Sequence, residues 1–258
     1  MLYCNHDRPL VPHSRSLCPP YFGGRLARGG VVCRGLGVMI ALSGVELRHG
    51  ERVILSGLSG QIETGSLTAL VGANGSGKTT LLRAIAGLHP LTSGRIDLGG
   101  LVAADIALLA QGSHLDRSFP ITCSDVVALA STRLGPFRSI GKDRLAATKA
   151  ALARVGLAEM ESRPIQALSA GQFQRVLFAR TIVQDAHLIL LDEPFTAVDA
   201  VTTRLLLPVI EEWHAQGRTV IAVLHDIELV RRHFPHTLLL TDQSASWDAL
   251  PNPGLQAA

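Results

Sequence analysis

The sequence has no apolar run long enough to cross a membrane. The apolar segments at 188–191 and 219–224 have the length of buried strands, whereas a membrane-spanning helix needs about 18–20 apolar residues. Since 47% of the 258 residues are hydrophobic, the composition predicts a folded core rather than a disordered chain. If the protein works at a membrane, we expect a partner to supply the helices.

An excess of positive charge is also missing from most of the chain. Residues 1–38 hold five Arg and one Asp, whereas the remaining 220 residues hold 19 basic and 20 acidic side chains. The body is therefore close to neutral. Its charge gives no support for a nucleic-acid partner.

The four cysteines do not show C-x-x-C spacing. Cys4, Cys18 and Cys33 lie in the first 38 residues, and no closed set of four ligands has the spacing of a zinc site. Zinc binding there is accordingly a weak interpretation. Cys123 is predicted to be an ordinary packed or semi-exposed thiol, and this cysteine usage suits a reducing cytosol.

The segment 1–38 is predicted to be an unstructured leader. It contains four Pro, six Gly and scattered Arg without apolar periodicity. Three interpretations are open: a targeting peptide, a disordered tail, or a translation start at Met39 instead of Met1. We favour the start at Met39, because clear patterning begins directly after it, and we expect one domain over 39–258.

The rest of the chain alternates short apolar segments with helical periods. Such alternation predicts an α/β fold with a mainly parallel sheet covered by helices. Residues 112–167 differ, because their apolar positions recur at helical spacing, and we expect a helical insert subdomain there. Strands are predicted at 40–47, 53–55, 57–62, 67–71, 106–110, 188–191 and 220–224, and helices after residue 78 and at 125–130, 144–155, 171–184 and 201–215.

Residues 72–79 match the pattern G-x-x-x-x-G-K-[ST] in full. Glycines allow the backbone N–H groups of such a loop to point at phosphate oxygens, and the following helix adds its positive N-terminal dipole. In this pattern Lys78 reaches the β- and γ-phosphates, and the Thr79 hydroxyl can bind Mg²⁺. A flexible turn with a surface lysine is the alternative, and the strand before and helix after the loop argue against it.

The apolar run 188–191 ends in Asp192 and Glu193. A buried parallel strand presents its carboxyl end to the ligand crevice. There Asp192 can hold Mg²⁺, and Glu193 can polarise an attacking water. Alone this pattern is weak, because many strands end in acidic turns, but it gains weight beside a phosphate loop.

Taken together, the motifs resemble those of the ATP-binding-cassette family over 39–242. Residues 168–172, Leu-Ser-Ala-Gly-Gln, resemble the family's signature segment LSGGQ. Gln111 occupies the Q-loop position, the segment 197–199 resembles the D-loop, and His225 matches the switch histidine. Each residue alone would have an ordinary structural explanation, such as Ser169 or Asp199 capping a helix.

The resemblance implies a P-loop NTPase core with an N-terminal antiparallel β subdomain. It also implies a homodimer that sandwiches two ATP molecules, each held by the phosphate loop of one copy and the signature segment of the other. It assigns catalysis to Glu193, His225 and Gln111, and Mg²⁺ binding to Thr79, Gln111 and Asp192. The nucleotide contacts that it implies are His49, Gly72, Asn74, Gly75, Ser76, Gly77, Lys78, Thr79, Thr80, Ser169, Gly171, Gln172 and Asp199.

Two positions depart from the family pattern. His49 stands where an aromatic residue usually stacks on adenine, and the smaller imidazole can weaken affinity or base selectivity. Ala170 replaces a signature glycine, which removes some backbone freedom but keeps the side chain small. Neither change removes a group that the chemistry needs.

Segments 119–127 and 171–180 resemble ATP-binding subunits of zinc, manganese and iron importers. This resemblance implies a separate transmembrane permease, an extracytoplasmic substrate-binding protein and a peripheral position on the cytoplasmic face of the membrane. We expect the permease to contact the insert at 112–167. His233 and His236 form an H-x-x-H pattern interrupted by proline, which we interpret as surface rather than a metal site.

Two other classes are alternatives: a cassette ATPase for a non-metal substrate, and a cassette ATPase without a transport role. Cassettes that act on DNA usually carry a very long coiled-coil insertion, and 112–167 is too short. Cassettes that act in translation carry two phosphate loops in one chain, and this chain has one. A catalytically silent regulator is disfavoured by the intact Lys78, Asp192, Glu193 and His225.

Overall fold

The computed structural model describes residues 38–111, 119–130, 142–196, 198–241, 243–248 and 250. The predicted leader, apart from Val38, lies outside these residues. So do Ala197 of the D-loop segment and two stretches of the predicted insert.

In the part of the chain that the structure describes, nine strands form two sheets. The strands are β1 (Val38–His49), β2 (Arg52–Glu63), β3 (Leu67–Gly72), β4 (Ser93–Asp97), β5 (Ile106–Leu109), β6 (Leu188–Asp192), β7 (Thr219–Val223), β8 (His236–Leu240) and β9 (Ala245–Trp247). A three-stranded antiparallel sheet has the order β2-β1-β4, and a six-stranded sheet has the order β5-β6-β7-β3-β8-β9, in which only the last pair is antiparallel. The predicted fold class is confirmed.

Six α-helices are present among the described residues: α1 (Lys78–Ile85), α2 (Cys123–Ala128), α3 (Lys142–Arg154), α4 (Ala170–Gln184), α5 (Ala200–Ala215) and α6 (Ile227–His233). Within 112–167 the described residues form α2, α3 and a short 3-10 helix at Ile165–Ala167. No helix in the described segments is both long and apolar enough to span a bilayer.

The six-stranded sheet lies between two apolar clusters because successive strand residues point to opposite faces. In β6, Ile189 and Leu191 pack in the cluster that includes α4 and α5. Leu188 and Leu190 pack in the cluster that includes α1 and the three-stranded sheet. All four side chains are fully buried. A strand covered on both faces needs such a continuous apolar run.

The prediction of two separate short strands at 53–55 and 57–62 is wrong, because β2 is continuous. Val45 pairs with Leu58 and Leu47 pairs with Leu55, so β2 contributes an extra residue at this point. Such a bulge bends a strand without ending it. Gly57, with φ of 69°, supplies the turn-like backbone that suggested a break.

The carboxyl ends of the parallel strands meet at one edge of the sheet. Gly72 ends β3, Asp192 ends β6, and β5 and β7 are followed within two residues by Gln111 and His225. β3 and β6 are separated by β7 alone. This order brings the phosphate-loop pattern and the acidic strand end to the same place.

Candidate functional site

A cleft of about 870 Å³ opens at this edge of the sheet. The phosphate-loop segment forms one wall, the turn between β1 and β2 forms a second, and residues after β5, β6 and β7 close one end. Its lining residues are His49, Arg52, Ile54, Asn74, Gly75, Gly77, Lys78, Thr79, Thr80, Gln111, Glu193 and His225.

Lys78 is the first residue of α1 and holds the loop in a curled form. Its Nζ donates to the carbonyl oxygens of Gly72 at 2.9 Å and Ala73 at 2.8 Å. The side chain is 5% exposed. Burial lowers the pKa of Lys78 from its ordinary value, while the negative charges of Glu193 and Asp192 oppose that shift. The ammonium group therefore lies inside the loop, facing the cleft.

Two glycines of the loop have no room for a side chain. At Gly77, with φ of 96°, a Cβ would overlap Cγ2 of Ile54. At Gly72, with φ of 148°, a Cβ would collide with the carbonyl oxygen of Leu240. Both positions also require a positive φ, which glycine adopts without steric cost. The pattern of glycines thus follows from close packing as well as from phosphate geometry.

Thr79 and Asp192 meet behind the cleft. The Thr79 hydroxyl donates to Asp192 Oδ1 at 2.9 Å. Asp192 is 1% exposed, and its Oδ2, like the buried Oγ of Ser76, has no hydrogen-bond partner among the described residues. Burial raises the pKa of Asp192, and the bond from Thr79 opposes this. Unpartnered buried oxygens are costly, so these residues fit a bound cation and phosphate.

Glu193 is the centre of a hydrogen-bond network that spans three strand ends. Gln111 Nε2 donates to its Oε2 at 2.5 Å, and Thr196 Oγ1 donates to the same oxygen at 2.9 Å. His225 Nε2 lies 2.7 Å from its Oε1. Burial raises the pKa of Glu193, but the bonds from His225 and Thr196 outweigh it, so the pKa lies below its ordinary value.

The backbone of Glu193 is strained. Its φ is 50°, an uncommon conformation for a residue with a Cβ, and such residues cluster at functional sites. Here the conformation directs the carboxylate into the cleft beside Lys78. A carboxylate in this position can orient an attacking water, which is what hydrolysis requires.

Sequence reasoning missed three residues of this site: Arg52, Ile54 and Thr196. Both Arg52 and Ile54 belong to β2 and line the cleft. The pairing of β2 with β1 shifts by one residue between Val53 and Leu55, so alternation along the sequence does not predict which side each side chain faces. Thr196 bonds to Glu193 through a local turn, which sequence spacing alone does not specify either.

The signature-like segment and Asp199 are not among the lining residues of the cleft. Ser169 is the N-cap of α4, and its Oγ accepts from Gln172 N at 3.2 Å. Gln172 Oε1 in turn accepts from Ser169 N at 3.0 Å. Asp199 caps α5 and accepts from Thr202 N at 2.7 Å. Gly171 lies in the first turn of α4. In a single chain, therefore, these residues are separate from the residues that line the cleft.

His233 and His236 belong to different elements. His233 ends α6 and lies 2.8 Å from Glu211 Oε1, while His236 begins β8 and lies 3.7 Å from Asp248 Oδ1. Each imidazole therefore faces its own carboxylate. Cys123 is buried in α2, which confirms its prediction as a packed thiol.

Comparison with known proteins adds an independent result. The family model described as "ABC transporter" matches residues 55–196. The zinc transport system ATP-binding protein TroB of Treponema pallidum is 36% identical over 206 residues, covering 78% of this chain and 77% of that protein. The manganese transport system ATP-binding protein MntB of Bacillus subtilis is 35% identical over 206 residues, covering 78% and 82%.

A solved structure is similar over its whole length. It is a dimeric ATP-binding cassette in a post-hydrolysis state, bound to ADP and Pi. The similarity has a TM-score of 0.73 at 26% identity, and it covers 83% of this chain and 100% of that chain.

Proposed function

Because this chain belongs to the ABC transporter family and is an ATP-binding subunit of that family, we propose that it hydrolyses ATP to drive import of zinc or manganese through a separate permease. The observation that carries the proposal is the single cleft that gathers Lys78, Glu193, Gln111 and His225. The names of the relatives supply the class of cargo.

Each residue of the cleft has a task in hydrolysis. Lys78 and the loop N–H groups bind the phosphates. Glu193 orients the attacking water, and His225 and Gln111 hold its carboxylate in place through the 2.7 Å and 2.5 Å contacts. Charge that develops on the γ-phosphate is then stabilised by groups already fixed in position.

Mg²⁺ is the cation that we assign to the Thr79–Asp192 pair. Asp192 Oδ2, which has no hydrogen-bond partner among the described residues, and the Thr79 hydroxyl are hard oxygen donors, which Mg²⁺ prefers, and Gln111 lies beside them as a third candidate ligand. When bound with ATP, the ion neutralises negative charge on the phosphates. The hydrogen bond between Thr79 and Asp192 fixes both side chains. We expect the two fixed side chains to hold the phosphate end of the nucleotide in one orientation.

The second half of each site comes from another copy of the chain. Ser169, Gly171 and Gln172 begin α4, and the N-terminus of a helix attracts phosphate. Since these residues do not line the cleft of their own chain, we assign them, with Asp199, to the nucleotide of the partner. The dimeric relative bound to ADP and Pi supports this arrangement.

The cycle of dimer closure and opening is the step that couples to transport. We place the subunit on the cytoplasmic face of the inner membrane, against a permease that contacts the region 112–167. Exposed Phe119 and Leu129 in that region are apolar enough to favour a protein contact. An extracytoplasmic protein would deliver the metal to the permease.

Metal content of cells tests the cargo. Cells with wild-type chain or with Glu193→Gln are grown with limiting metal, and zinc, manganese and iron are measured. We expect selective loss of zinc or manganese in the Glu193→Gln cells, and no loss with the matched variant Glu211→Gln, which changes an exposed glutamate of α5 outside the cleft and outside 112–167. If all three metals stay unchanged while the purified wild-type chain hydrolyses ATP, the cargo is not a transition metal and the importer proposal is wrong.

A further inference from the structure

Arg52 is a cationic residue in the cleft that the hydrolysis reaction does not use. It begins β2 and is the direct cross-strand partner of His49 in β1. Both side chains are exposed and line the cleft. Directly paired residues of an antiparallel pair project to the same face, with Cβ atoms about 4.5–5.5 Å apart. The two side chains therefore form one surface at the tip of the hairpin.

The position of this surface along the cleft follows from Ile54. Ile54 packs against Gly77, the residue before Lys78, so that it marks the level of the phosphate loop. Arg52 is two residues closer to the tip of the hairpin, and it also lines the cleft. It therefore borders the cleft on the hairpin side of the phosphate loop, whereas the ammonium group of Lys78 lies within the loop.

A nucleotide with its phosphates on Lys78 places its ribose and base outside the loop. The group that meets this surface is then an aromatic base rather than another phosphate. A guanidinium is planar and stacks on aromatic faces. His49 supplies a small ring, and the planar cation beside it adds contact area that the imidazole lacks.

From this geometry we infer that Arg52 stacks on the base of the bound nucleotide and, together with His49, replaces a single large aromatic ring as the platform for the base. The inference rests on the proposed ATP site and names a further base-binding residue within it. Loss of the guanidinium should weaken ATP binding about 2- to 5-fold, the range for a cation over an aromatic ring at an exposed site.

The test compares ATP with inorganic tripolyphosphate, which has the phosphates but no base. Affinities are measured by displacement of a fluorescent ATP analogue, in a Glu193→Gln background that prevents hydrolysis. We expect Arg52→Ala to weaken ATP binding about 2- to 5-fold and to leave tripolyphosphate binding unchanged. Arg48→Ala, which removes an exposed arginine of the same hairpin that pairs with Glu46 and does not line the cleft, should change neither.

A conservative variant tests the stacking of Arg52 on the base without the comparison with tripolyphosphate. Lys keeps the charge but loses the flat guanidinium, so Arg52→Lys should also bind ATP more weakly. Full ATP affinity in Arg52→Lys, equal losses for ATP and tripolyphosphate in Arg52→Ala, or no loss at all would each overturn the inference. Failure of the ATP site itself is recognised separately, because then the parent protein binds neither ligand and Lys78→Ala changes nothing.

Discussion

The family resemblance assigns residues of the cleft and residues at the start of α4 to the same bound nucleotide. In the structure, the side chains of these two groups form different kinds of contact. In the cleft, Thr79 bonds to Asp192 and His225 bonds to Glu193 across strands far apart in sequence, and a buried oxygen of Asp192 has no hydrogen-bond partner in the described part of the chain. At the start of α4, the Ser169 side chain instead bonds within its own capping turn.

This contrast indicates which half of the site one chain can build. Long-range bonds and unpartnered buried oxygens mark a preformed binding site, whereas a satisfied cap at an exposed helix start costs nothing to leave unliganded. A single chain should therefore bind ATP through the cleft but need a second copy for efficient hydrolysis. The variants below separate the two halves.

Lys78→Ala should have the largest effect. It removes a charged donor from the phosphates, and loss of two charge-assisted hydrogen bonds predicts at least about 100-fold weaker ATP binding. Titration calorimetry of the purified chain measures this. Lys149→Ala, which removes from α3 a lysine that pairs with Glu161, is the control and should bind ATP with wild-type affinity. Equal affinity of both variants would show that the cleft is not the phosphate site.

Glu193→Gln should bind ATP but hydrolyse it slowly. Removal of a positioned base costs about 10²- to 10⁴-fold in rate, while the amide retains the size of the side chain. Phosphate release and nucleotide affinity, measured on the same preparation, separate the two effects. If both fall together, Glu193 serves binding or folding instead of the chemical step.

Ser169→Ala should leave ATP binding to the single chain within about twofold but lower hydrolysis at least about 10-fold, because the proposed dimer loses a hydroxyl at the γ-phosphate of the partner's nucleotide. The cap that it also removes contributes about 1 kcal/mol to stability. Thr122→Ala removes an equivalent cap at the start of α2 and controls for that loss. Thermal unfolding should shift alike in both variants, and equal hydrolysis would contradict a role in the site.

Ala170→Gly should have the smallest effect. Ala170 opens α4 and is exposed, so restoring the glycine of the family pattern costs at most about 1 kcal/mol of helix stability. We expect hydrolysis within about twofold of wild type, since roughly 0.4 kcal/mol corresponds to that factor. A larger change in rate than in unfolding temperature would mean that the backbone at this position enters the site.

The sequence was sufficient to predict those site residues that belong to a motif of a few consecutive positions. The loop at Lys78 and the acidic end of β6 are specified by spacing within a few residues, and their strands are continuous apolar runs. β4 was missed because most of its side chains are exposed, so that no alternation is visible. β9 has three residues, too few for any period.

The sequence predicted which residues belong to the site better than it predicted which of them contact each other. The bond between Gln111 and Glu193 joins residues 82 positions apart, and it depends on β5 lying beside β6. Arg52 was missed because its importance comes from the opposite strand and from Ile54 packing on Gly77. Such relations follow from strand register and sheet order, which single-sequence patterns do not specify.

Mixing two inactive variants tests the shared site most directly. In a dimer of one Lys78→Ala chain and one Ser169→Ala chain, one site contains both defects and the other contains neither. If the start of α4 completes the partner's site, an equal mixture should recover about a quarter of the wild-type hydrolysis rate, since half of the dimers are mixed and each has one intact site. A mixture whose rate equals the average of the two separate variants would contradict completion by a second copy.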